Sequence, residues 1–119
     1  MATITQLSPY AFLLISSILI LLPLESFAKD KTITVGSTVN ISCQSNIAPT
    51  WQWFGPQSKN HKILAINGKK HPDLTDDRIT FQKNDLLYSV TIKSSKLSDA
   101  GTYACVGDTY ATTIVNVIG

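Results

Sequence analysis

Motifs that carry chemistry are scarce in this chain. Its 119 residues include two cysteines and two histidines, His61 and His71. No Cys-x-x-Cys spacing, Gly-x-Ser-x-Gly elbow, phosphate-cradling glycine loop or metalloprotease helix motif occurs. The length leaves room for one domain and excludes the large barrel and doubly wound scaffolds that house most cofactor chemistry. Charge of one sign is scarce as well. The formal net charge is +2 and no block of five like charges appears, so nothing points to nucleic acid. The histidines stand in polar, loop-like surroundings with no paired base, which argues against an enzyme. Asp73, Asp76 and Asp77 cluster, but their spacing matches no calcium loop and Arg78 follows directly. A solvated turn with one carboxylate near Arg78 is expected there, with no metal and no cofactor.

What is present is unevenly spread. Residues 1–28 carry a single charged side chain, Glu25. Within them Ala11 to Leu24 reads AFLLISSILILLPL, fourteen uncharged residues. A bilayer-spanning helix needs about 20 apolar residues, so the run is short for an anchor and suits the apolar core of a secretory signal peptide. Ser26 and Ala28 are small residues at the −3 and −1 positions of a cleavage after Ala28. Met1 to Tyr10 lacks Lys and Arg, and an uncleaved signal anchor is the alternative. The expected organisation is a leader over 1–28 and one secreted domain over 29–119. No second long apolar run follows, so no transmembrane segment or lipid-anchor tail is expected in the mature chain.

The remainder alternates. Val39-Asn40-Ile41-Ser42-Cys43, Ile79-Thr80-Phe81, Tyr88-Ser89-Val90-Thr91-Ile92, Tyr103-Ala104-Cys105 and Thr113-Ile114-Val115-Asn116-Val117 each alternate apolar with polar or small residues. Period two places Val39, Ile41 and Cys43 on one face and Asn40 and Ser42 on the other. Turn signals separate the runs, among them Val35-Gly36-Ser37, Phe54-Gly55-Pro56, Gly107-Asp108 and a hairpin-type Asn67-Gly68. No sustained helical stripe occurs, and the pattern predicts an all-β sandwich or barrel. Cys43 and Cys105 lie in a chain bound for an oxidising compartment, so pairing with each other is the simplest reading. Free thiols, a zinc pair or a redox pair are the alternatives; zinc would need two further ligands from His61, His71 and the carboxylates.

Cys43, then Trp51-Gln52-Trp53-Phe54, then Asp99-Ala100-Gly101-Thr102-Tyr103-Ala104-Cys105 form a joint pattern. With these residues the chain resembles an immunoglobulin domain of variable-like or intermediate type. The resemblance implies a two-sheet antiparallel sandwich with Greek-key connections and a Cys43–Cys105 bridge between the sheets. It implies a core tryptophan against that bridge, Trp53, with Trp51 of the same parity sharing the role. It also implies a tyrosine corner at Tyr103 and an Arg78–Asp99 salt bridge at the base. Ser95 stands where the family usually has an aliphatic residue, with Leu97 expected to compensate. The Phe-Gly-x-Gly bulge of antigen-receptor variable domains is absent from the last strand, which points to an innate or adhesive relative.

Parity then names the outward residues of the second sheet. Gln52, Phe54, Thr102, Ala104, Val106, Tyr110, Thr112 and Ile114 face out, with one of Ile63 and Leu64. Phe54, Val106, Tyr110 and Ile114 make an apolar patch, with Gln52 beside it, and such patches mark interaction sites. The resemblance implies dimerisation or receptor pairing through this sheet. Asn40-Ile41-Ser42 is the only N-glycosylation sequon, and parity directs Asn40 to solvent on the opposite sheet. The expected function is a secreted or cell-surface recognition module for immune recognition or adhesion. Its partner would be an extracellular receptor or ligand, or a second copy. A structural spacer domain, cut or spliced from a larger adhesion receptor, is the alternative. Gly119 closes the chain without stalk or anchor, which favours a soluble ligand or decoy if the gene ends there.

Overall fold

The computed structural model describes residues 27–58 and 60–119; the expected leader lies outside them, apart from Phe27 and Ala28. Among the described residues nine strands form two sheets. They are β1 (Phe27–Thr34), β2 (Val39–Gln44), β3 (Thr50–Phe54), β4 (His61–Ile66), β5 (Lys69–Lys70), β6 (Ile79–Asn84), β7 (Leu87–Ile92), β8 (Gly101–Val106) and β9 (Tyr110–Ile118). The larger sheet has the order β1-β9-β8-β3-β4-β5 and the smaller β2-β7-β6. All pairs are antiparallel except β1 with β9, which run parallel from Phe27 beside Ala111 to Thr34 beside Ile118. The expected all-β sandwich is therefore what forms.

The alternation read from sequence becomes the core. Val39 and Ile41 of β2, Val90 and Ile92 of β7, and Tyr103, Cys105 and Val115 of the larger sheet are buried between the layers. Each such aliphatic side chain contributes roughly 1.5–3 kcal/mol by leaving water. Cys43 and Cys105 are bonded across the sheets, with Cα atoms 6.5 Å apart and 62 positions between them. Closing a loop of that length restrains the unfolded chain by roughly 4 kcal/mol in the chain-entropy model. Trp51 and Trp53 both point inward and join the cluster around the bridge. Thr50 to Phe54 pair with β8, so both tryptophans lie on the strand next to Cys105.

Two sequence readings need correction, and one strand was not read at all. Leu97 does not compensate for Ser95: Leu97 is 61% exposed, while Ser95 is buried. The Ser95 hydroxyl donates to the Thr34 carbonyl (3.1 Å). Its N–H donates to the Ser37 carbonyl and its carbonyl accepts from Gly36 N–H. A fully bonded hydroxyl removes the cost of a polar side chain at that depth, so no aliphatic substitute is needed. His61 is a strand residue, not a loop residue. Lys29 to Thr34, read as neither strand nor turn, belongs to β1.

The hairpin at Asn67-Gly68 forms as expected, with φ of +50° and +80° at its two central residues. It joins β4 to β5, a strand of only two residues. Between Trp51 and Gln52 the β3–β4 register shifts by a bulge. The bulge turns both Leu64 and Ala65 inward and leaves Ile63 and Ile66 exposed.

Candidate functional site

The outer face of the larger sheet is built in rows fixed by strand register. Tyr110 of β9 lies beside Val106 of β8, which lies beside Thr50 of β3. The next row runs Thr112, Ala104, Gln52 and Ile63, and the third Ile114, Thr102, Phe54 and His61. Phe54, Val106, Tyr110 and Ile114 are thus brought onto one surface, with Gln52 between them. Tyr110 is 49% and Ile114 39% exposed, and Val106 and Ile63 are about as open. Ala104 also lies on this face, yet it is fully covered. A methyl group at the centre of the sheet is covered by its longer neighbours.

Phe54 does not stand alone. Its ring stacks on the His61 imidazole with centroids 4.6 Å apart and planes 17° off parallel. Nε2 of His61 lies 3.2 Å from Oε1 of Gln52, where the imidazole N–H donates. The Phe54 ring is therefore held from one side by a neighbour that is itself tied down. An anchor whose rotamer is already fixed loses less entropy when a partner covers it.

The opposite face of the molecule has another character. On the outside of the smaller sheet the rows are Asn40, Thr91, Thr80; Ser42, Ser89, Gln82; and Gln44, Leu87, Asn84. Only Leu87, at the tip, is apolar. Asn40 is exposed, and its Nδ2 donates to Thr91 Oγ1 (2.8 Å). Thr91 donates to Gln82 Oε1 (3.0 Å) and Gln82 Nε2 to Thr80 Oγ1 (3.0 Å). These side chains satisfy one another across three strands.

The base of the sandwich is tied by Arg78, the only arginine of the chain. Its Nη1 and Nη2 donate to the two Asp99 carboxylate oxygens at 2.8 and 3.0 Å. Its Nε and Nη2 donate to Asp76 at 3.1 and 2.7 Å. Asp99 also accepts from Lys96 N–H at 2.7 Å. The Tyr103 hydroxyl donates to the Asp99 carbonyl at 2.6 Å, which anchors the start of β8. Burial pushes the Asp99 carboxyl up, but the Arg78 guanidinium and Lys96 N–H outweigh it and hold it below its usual range. The Arg78 hydrogen bonds hold Asp76 down as well. Burial pushes the Tyr103 phenol up, and Asp99, with Asp76, holds Arg78 above its ordinary value.

Two carboxyls with lowered folded-state values bind fewer protons in the folded than in the unfolded chain. Their contribution is present above the unfolded carboxyl value of about 4. It is lost as pH falls through their folded-state values. The melting midpoint is expected to drop below pH about 4, and Asp76→Asn to flatten that acid limb; melts followed by circular dichroism across pH 2–7 check this. An acid limb as steep in the variant as in the parent would sink it.

At the other end, Asp108 ties two loops that lie 62 residues apart in sequence. It accepts from Asn46 Nδ2 (2.7 Å), Asn46 N–H (3.2 Å) and Ser45 Oγ (3.0 Å). Bonds from Asn46, then Ser45, hold its carboxyl below the usual range. Neither this tie nor the stacked His61 was read from sequence. No spacing rule joins Asn46 to Asp108, and the bulge in β4 hid the period that would have placed His61 opposite Phe54.

His61 and His71 do not converge on a common site, and no group of three metal-ligating side chains occurs among the described residues. The fold, bridge, core tryptophans and tyrosine corner agree with the family pattern, and the immunoglobulin V-set domain model matches residues 28–117. The chain belongs to the immunoglobulin V-set family. No curated protein matches the chain. V-set domains are protein-recognition modules, typically extracellular or at the cell surface and typically without catalytic activity. No helix among the described residues is long and apolar enough to cross a membrane. In this V-set domain both strands beyond β3 are present, though β5 is reduced to Lys69–Lys70.

Proposed function

We propose that this V-set domain is a secreted or cell-surface recognition module that binds another protein through the outer face of its larger sheet. The role would be immune recognition or adhesion. The contact would centre on Phe54 and Ile114, flanked by Gln52, Val106 and Tyr110, with Ile63 added from β4. One observation carries the reading: the two outer faces differ in kind. The smaller sheet shows a polar ladder whose side chains bond to one another. The larger shows four exposed large apolar residues, Ile63, Val106, Tyr110 and Ile114. Exposed apolar clusters with aromatic members are the usual centres of protein interfaces. A leader removed after Ala28 and a glycan on Asn40 complete the proposal, because both leave this face free.

The test uses substitutions on each face. Ile114→Asp sets a second carboxylate beside Asp30, its neighbour on β1, and is expected to weaken association by about 2 kcal/mol or more, about 30-fold. Phe54→Ala is expected to do the same. Thr80→Asp, on the polar face, is expected to change nothing. Sedimentation at high protein concentration and binding of labelled domain to a panel of cells measure both modes. A parent domain that stays monomeric and stains no cell overturns the proposal.

A further inference from the structure

Four strands end the two sheets, and three of them carry the features that keep a sheet edge from pairing with another chain. β5 is two residues long and both are lysine. β1 begins its exposed stretch with Lys29, Asp30 and Lys31. β6 contains Lys83. Short length and edge charge both discourage strand addition. The fourth edge, β2, has β7 on one side and no strand on the other among the described residues. Its sequence, VNISCQ, runs six residues without charge, proline or glycine. A groove of about 470 Å³ lies beside its second half, lined by Ser42 to Asn46, by Lys29 of β1, and by Asp108, Thr109 and Ala111 to Thr113. Thr109 Oγ1 donates to the Gln44 carbonyl at its far end (3.3 Å), so the open stretch is the first half, around Asn40 and Ser42. By the rule that holds for the other three, this edge is open to a further strand. It is also the strand that carries the sequon.

We infer that an N-linked glycan on Asn40 guards the free edge of β2 against pairing with β2 of a second copy. In the modification, Asn40 Nδ2 attacks C1 of a lipid-pyrophosphate-linked oligosaccharide. The bond from C1 to the pyrophosphate oxygen breaks, an Nδ2–C1 bond forms, lipid pyrophosphate leaves and Nδ2 releases a proton. One N–H remains on the amide, and the bond to Thr91 Oγ1 needs only one. Thr91 lies on β7, so with that N–H kept, the sugar leaves Nδ2 on the side away from β7, toward the free edge. The donation from Thr91 to Gln82 fixes Thr91 as acceptor from Asn40 and so fixes which way the amide faces. The guard is independent of the apolar face, which lies on the other sheet.

The test is made on the full chain secreted from a eukaryotic host, in an Ile114→Asp background that silences the apolar face. Ser42→Ala and Ser42→Lys both destroy the sequon and leave Asn40 in place. Ser42→Ala leaves the edge bare; Ser42→Lys puts a charge on it. The parent is expected to be a monomer with a glycan on the Asn40 peptide. Ser42→Ala is expected to show at least a doubled mass by light scattering, and Ser42→Lys to remain monomeric without a glycan. Trimming the glycan of the folded parent to its first sugar with an endoglycosidase is expected to raise association without any substitution. The inference is overturned by an unmodified Asn40 in the parent, by a monomeric Ser42→Ala and trimmed parent, or by equal association of the two Ser42 variants.

Discussion

Arg78→Met is expected to cost about 3–5 kcal/mol of unfolding free energy, the range for removing one partner of a buried ion pair. The guanidinium serves four acceptors. It holds both carboxylates, and Nη1 also donates to the carbonyls of Lys93 (3.3 Å) and Ser94 (3.1 Å). Side-chain exposure at the pair is 19% for Arg78 and 10% for Asp99, so water cannot take over its role. Without it Asp76 and Asp99 face each other across the space it leaves. The damage would spread to β8, because Asp99 also receives the Tyr103 hydroxyl. A domain of this size has about 5–15 kcal/mol in hand, so much of it would go. Urea unfolding measures the loss. Arg78→Lys keeps the charge but not the fork that spans two carboxylates, and should fall between parent and Arg78→Met. A loss under about 1 kcal/mol for Arg78→Met would contradict this account of the base.

Gly101→Ala is expected to be nearly as severe. Gly101 opens β8 with φ of +148°, a region that residues with a side chain rarely adopt. A Cβ there would press on the Phe54 carbonyl oxygen and stand 2.6 Å from Trp53 Nε1. Backbone strain of about 1–3 kcal/mol would add to overpacking of about 1–3 kcal/mol. Relief requires either the indole or the β3–β8 pairing to give way. The crowded Phe54 carbonyl belongs to the residue at the centre of the proposed contact, so the substitution should blunt partner binding as well as stability. Tryptophan fluorescence and the thermal midpoint read the two effects. An unchanged midpoint would mean that the close approach is not needed.

The parts of the fold that were legible in sequence are those governed by period two and by local motif. β2, β7, β8 and β9 announce themselves by alternation, and Cys43, Trp53, Tyr103 and Cys105 by their joint spacing. The outward parity of Phe54, Ile114 and Val106 followed from the same count. β4 was harder, because its bulge puts Leu64 and Ala65 on one side in succession. β1 was hidden by its position at the end of the apolar N-terminal run and by charges that its exposed edge tolerates. Ser95 was misjudged because family habit predicts an aliphatic residue there, while the hydroxyl bond to the Thr34 carbonyl makes serine fit. The Asp76 half of the Arg78 clamp, and the Asp108 tie between loops, depend on side-chain geometry that no linear pattern encodes.

The parallel pairing of β1 with β9 has a mechanical consequence. The two strands run side by side in the same direction, so the N-terminal end of one and the C-terminal end of the other lie at opposite ends of the molecule. A force that pulls Lys29 and Ile118 apart slides one strand along the other. It loads the six registered pairs from Lys29 to Thr34 together, where a hairpin would be peeled open one rung at a time. The domain is thereby built to resist tension along its long direction.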